Sequence, residues 1–151
     1  MLVNDEILQK PLLYLSYYFK RNRHEYYDRL NDVRLKGDWE GWLKFFLKGV
    51  SEVSLEATET ARKIIQIQER DRNRLTKNTH ALKLLDTLFM NPVTTIRGIR
   101  KITGVSPATA SRIVKQMMKM GILIETTGYA RNKKFLYQDY FNILRLGTDN
   151  M

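Results

Sequence analysis

Residues 99–123 read IRKITGVSPATASRIVKQMMKMGIL: a short apolar-periodic segment, a glycine, then a second segment that opens on small polar residues. Few folds accommodate that order. Ile96, Ile99 and Ile102 step by three along one face of a first helix, which Thr95 can cap and Gly104 can close. Ser106 is a favourable N-cap and Pro107 suits the first helical position, so a second helix is expected from about 107 to Met120, with Gly121 as its stop. Its buried face should be Ala110, Ile113, Val114 and Met117. Two helices joined by a glycine turn can set the second of them into the major groove of DNA.

The flanking segments extend this unit. Ala81, Leu82, Leu85, Leu88 and Phe89 form an amphipathic face that ends at Asn91 and Pro92. After Gly121 the period shortens: 122–126 reads as a strand, 128–132 as a turn and 133–137 as a returning strand. Three helices and a hairpin make a winged helix-turn-helix, and a last helix around Tyr140, Phe141, Ile143 and Leu144 would close its core.

Upstream, Leu12, Leu13, Leu15 and Phe19, then Tyr26, Tyr27, Leu30 and Val33 before Gly37, predict two short helices. Asp38 should cap a longer one, whose face carries Trp39, Trp42, Leu43, Phe46, Val50, Val53, Ala57, Ala61 and Ile64. Trp39 and Trp42 read as core anchors. Gly41 and Gly49 inside it each cost about 1 kcal/mol relative to alanine, which points to another helix packed closely against them. The charged run 68–77, QERDRNRLTK, lacks an apolar stripe but holds no helix breaker, so it reads as a solvated helical connector with the boundary near 70–78. The expected fold is mainly α: a helical segment over 1–75, then a winged helix-turn-helix with a small β-hairpin over 76–151.

Charge separates the two parts. Residues 1–75 carry 14 basic and 12 acidic side chains, residues 76–151 carry 12 and 4, and the whole chain stands at +10. So basic a C-terminal part attracts polyanions at long range, and nucleic acid is the commonest such partner. A basic solubilising surface would carry the same charge. The 151 residues include no cysteine, which excludes disulfides, thiolate metal sites and zinc fingers. Asp5 and Glu6 stand where a secretory signal needs positive charge, and the uncharged run 11–19 is too short to span a bilayer, so a soluble cytoplasmic protein without membrane contact is expected.

With Ala110, Ile113 and Met117 buried, the opposite side of the second helix presents Ala108, Ser111, Arg112 and Lys115, with Ser106, Pro107 and Thr109 at its start. Small side chains let a helix approach base edges, hydroxyls bond phosphate or base, and Arg112 can bridge O6 and N7 of guanine. The hairpin tip holds Arg131, Lys133 and Lys134, placed for contact with the DNA backbone or minor groove. A solvated charge cluster on an exposed turn is the plainer reading of the tip alone. Met117, Met118 and Met120 read as adaptable core or interface filler. His24 and His80 each lack a second histidine at metal-ligand spacing, and the GxxxxGK, GxSxG and GxGxxG patterns are absent, so no catalytic residue, metal or cofactor is expected.

Two parts of the chain also resemble one family. KPLLYLSYYFKRNRHEYYDRL followed by GDWEGWLKFFLKGV resembles the region after the active site in Fic-domain proteins, which transfer AMP from ATP to a protein hydroxyl. TGYARNKKFLYQDYFNIL is similar to the winged-helix tail of many bacterial members. The family's catalytic signature, HxFxxGNGRxxR, has no counterpart here, so no catalytic residue carries over. The resemblance implies the C-terminal part of a Fic protein that does not transfer AMP by itself. It also implies that the aromatic N-terminal helices, which pack against catalytic helices in the family, seek a partner here, with self-association as the expectation.

Overall fold

The computed structural model describes residues 15–129 and 131–146. Asp5, Glu6, Leu12 and Leu13 lie outside the described residues. The chain divides into two compact units between Ala61 and Arg62.

The first unit is helical over 15–21 (α1), continues with α2 (Arg23–Lys36) and contains the first part of α3 (Trp39–Leu75), a single helix of 37 residues. Gly37 closes α2, and the Asp38 carboxylate accepts a hydrogen bond from the Gly41 amide at 3.0 Å, so the expected stop and cap are both in place. Tyr18, Phe45 and Val53 are buried, with Phe19, Tyr26 and Trp42 packed around them. The Phe19 ring stacks on Tyr26 at 5.0 Å and on Phe45 at 5.9 Å between centroids. The unit's core is thus largely aromatic.

The buried side of α3 is not the centre of the stripe read from the sequence. Gly49 explains the rotation: a Cβ there would stand 2.6 Å from the Tyr18 ring, so the bare backbone admits that ring and turns Phe45, Gly49 and Val53 toward α1. Trp39 is consequently no core anchor but 63% exposed, and Leu43 and Val50 are exposed as well. Trp42 does join the cluster. Gly41 also departs from expectation, since the atoms nearest to an added Cβ belong to the capping Asp38 and then to Arg29 of α2, rather than to a closely packed helix backbone.

The second unit comprises the end of α3, α4 (Thr79–Leu88), β1 (Val93–Thr95), α5 (Ile96–Thr103), α6 (Pro107–Lys119), β2 (Leu123–Glu125), β3 (Lys134–Tyr137) and α7 (Gln138–Leu146). The strands form one antiparallel sheet in the order β1-β3-β2, with Thr94 opposite Phe135 and Glu125 also opposite Phe135. β1 is absent from the sequence reading. Three residues after Pro92 are too few to show a period of two, and β1 owes its pairing to β3 on its flank.

Ala110, Ile113, Val114 and Met117 of α6 are buried as expected, together with Ala81, Leu84, Leu85, Leu88, Ile99, Ile122, Leu123, Phe135 and Tyr137. The charged run is the larger surprise. Ile67, Asp71 and Leu75 fall on one side of α3, where Leu75 and Asp71 are fully buried and Ile67 packs on the same core. This stretch is therefore part of the second unit's packing rather than a solvated connector. An aspartate in the middle position hid the stripe, and its polar atoms are satisfied as described next.

Candidate nucleic-acid interface

α6 begins where its sequence dictates. Ser106 is extended at φ −66° and ψ 158°, its hydroxyl accepts from the Thr109 amide at 3.2 Å, and Pro107 occupies the first turn. Gly104, at φ +74°, makes the sharp turn out of α5 that an L side chain would resist. Asn78 caps α4 and also donates to the Gln116 amide oxygen at 2.9 Å, which ties the start of α4 to α6. One turn further on, at the C-cap of α6, Arg74 donates to the carbonyl of Met120. The helix is thus held at its buried face and near its C-terminus, while its N-terminal half stays open.

A buried polar network braces that arrangement. The Tyr137 hydroxyl donates to Asp71 at 2.7 Å, the Arg70 guanidinium donates to the same carboxylate at 2.8 and 3.0 Å, and Arg70 reaches Asp139 of α7 at 2.7 Å. Burial opposes the charge on Asp71, but the hydrogen bonds from Arg70 and Tyr137 and the charges of Arg70 and Arg74 outweigh it, so the carboxyl titrates below its usual range. Burial, then the bond to Asp71, push the Tyr137 hydroxyl well above the ordinary phenol value. Arg72 pairs with Asp86 of α4. Asp71, Asp86 and Asp139 are all engaged with arginines of α3, which leaves the cations of α5, α6 and the wing uncompensated by them.

The residues expected to touch DNA fall into three groups, with Arg131 apart from them. Ala108, Arg112 and Lys115 lie on one exposed stripe of α6, and neither Arg112 nor Lys115 has an ion-pair partner among the described residues. Pro107, Ser111, Lys133 and Lys134 come together in an open cleft of about 740 Å³ between α5, α6 and the wing. Ser106 and Thr109 serve the helix first: their hydroxyls bond each other at 3.0 Å, so each has less capacity for phosphate than a free hydroxyl. Arg131 is exposed on the wing turn and does not line the cleft. Lys133, expected at the wing tip for DNA contact, is paired with Glu125 at 2.8 Å across the hairpin.

Arg97 and Arg100 were missed by the sequence reading, yet both are exposed on α5 and line the cleft opposite Lys133 and Lys134. The signal was available. Once Ile96, Ile99 and Ile102 are assigned inward, positions 97 and 100 must face away from the core, and both are arginine. Met117 is buried and Met118 is 37% exposed, while His24 and His80 are both exposed.

Three helices and the sheet β1-β3-β2, in which β2 and β3 form the hairpin, define a winged helix-turn-helix domain within a mainly α chain. Residues 77–124 match a family model described as winged helix-turn-helix DNA-binding. That match runs from the residue before the α4 cap into β2, so the returning strand and α7 are added by the structure. Among the described residues, no helix is long and apolar enough to cross a membrane.

Proposed function

We propose that the second unit binds double-stranded DNA, with α6 in the major groove and the wing along the backbone, and that the protein regulates transcription in the cytoplasm, including that of its own operon. The observation that carries this reading is the open stripe of Ala108, Arg112 and Lys115 on a helix capped by Ser106, beside a cleft edged by basic side chains. Anisotropy titration against duplex DNA tests it. Affinity should fall with salt by about one unit of log-log slope for each phosphate contacted. Arg112→Ala should relax base preference at one position, at a cost of about 1–3 kcal/mol, whereas Lys134→Ala should weaken all sequences alike. Loss of neither preference nor affinity in the two variants would remove the assigned face.

A second reading is favoured by the first unit. Trp39, Leu43, Leu47 and Val50 are exposed along one side of α3, an apolar surface of the kind that seeks a partner. On this reading the chain is a protein-interaction or regulatory part of a Fic-family AMP-transferase, as the resemblance of its N-terminal segments implies, and the surface joins two copies or receives another protein. Neither reading gives any residue of this chain a catalytic role. Saturable protein binding that persists at high salt supports the second reading, and a monomeric mass in light scattering at high concentration counts against self-association.

A further inference from the structure

The cleft between α5, α6 and the wing gathers four cations, Arg97, Arg100, Lys133 and Lys134, from two separate elements. Among the described residues, only one of them is already committed to a carboxylate: Lys133 sits 2.8 Å from Glu125, whose side chain is 20% exposed. The other carboxylate oxygen, Oε1, is buried and accepts no hydrogen bond among the described residues. A carboxylate left half satisfied beside a lysine of the cleft costs stability, and it cancels one of the cleft's charges.

We propose that this cleft seats a backbone phosphate of the duplex and that Glu125 competes with that phosphate for Lys133, which restrains DNA affinity. The inference rests on the DNA-binding reading above and deepens it, since it assigns the phosphate to Arg97 and Arg100 of α5 and makes the wing lysine conditional. The physical argument is one of charge. A lysine already paired to a carboxylate brings no net charge to the phosphate and releases little counterion, whereas the same lysine freed of its partner adds a full contact. Lys133 is 43% exposed, so a phosphate can reach it without unfolding the hairpin.

Glu125→Gln removes the charge and keeps the shape. Titrated against a short mixed-sequence duplex, it should bind roughly three- to tenfold more tightly at about 0.1 M salt, with a salt slope steeper by about one unit. Lys133→Ala bares the Glu125 charge in the parent chain but removes a direct phosphate contact in the Glu125→Gln background, so it should cost more in the latter, a coupling that a merely structural pair would not show. Arg97→Ala with Arg100→Ala, which releases that one phosphate, should flatten the slope by about one unit without altering base preference. Far-UV circular dichroism and melting temperature of each variant confirm that the fold is kept, and Lys133→Gln provides a second route to the coupling. Unchanged or weaker binding by Glu125→Gln, or an equal effect of Lys133→Ala in both backgrounds, overturns the inference while leaving the DNA reading intact. A parent chain that binds no duplex at low salt removes the DNA reading, and this inference with it.

Discussion

Gly49 and Asp71 are single positions at which the local rule and the tertiary outcome disagree. Alanine is the better helix former at position 49 by about 1 kcal/mol, yet a methyl there would meet the Tyr18 ring at 2.6 Å, and Tyr18 is 1% exposed. Gly49→Ala should therefore lower stability by about 1–3 kcal/mol, read as a fall in melting temperature; an increase would show that Tyr18 can move aside. Asp71 is buried in the second unit and accepts from Tyr137, Arg70 and Arg74. Asp71→Asn keeps the volume but loses the charge-assisted bonds, at a cost of about 2–3 kcal/mol in chemical denaturation. A loss near zero would mean that the arginines find equal partners in water.

Among the elements, α6 shows local signals and packing in agreement, and the end of α3 shows them in conflict. Ser106, Pro107 and Gly121 bound α6 in the sequence as they do in the structure, because caps act through the backbone within one turn. Ser106→Ala should cost about 1 kcal/mol in thermal unfolding and should leave the position of Arg112 unchanged, so that base preference persists while stability falls. Over 68–77 the charges outnumber the apolar residues, and only the neighbours supplied by β3 and α7 convert Ile67, Asp71 and Leu75 into a packed side. β1 belongs with this second case, since its pairing partner lies on β3, some forty residues further along the chain.

At the scale of a whole unit, the second carries its charge in opposition: Asp71, Asp86 and Asp139 face arginines of α3, and Arg97, Arg100 and Lys134 remain open on the side of α5 and the wing. Its acid stability should follow Asp71. The carboxyl titrates lower when folded than when unfolded, so the folded state binds fewer protons at this site. The stabilisation is complete above the unfolded value of about 4 and disappears as pH falls through the lower, folded value. Melting temperature measured from neutral pH to about pH 3 should fall less steeply for Asp71→Asn than for the parent chain; parallel curves would assign acid sensitivity to other carboxylates.

The sequence alone determined the helix-turn-helix, its caps, the inward face of α6 and the basic excess of the second half, because each depends on short-range backbone chemistry or on composition. It also made Ala108, Arg112 and Lys115 legible as an outward stripe, since burial of Ala110, Ile113 and Met117 leaves them no other direction. Tertiary structure decided the rest: which side of α3 the Tyr18 ring would cover, that a charged run would enter a core, that α5 would lend two arginines to the wing's cleft, and that Lys133 would meet Glu125. Those outcomes depend on residues far apart in the chain, whose encounter follows from packing rather than from any period or spacing.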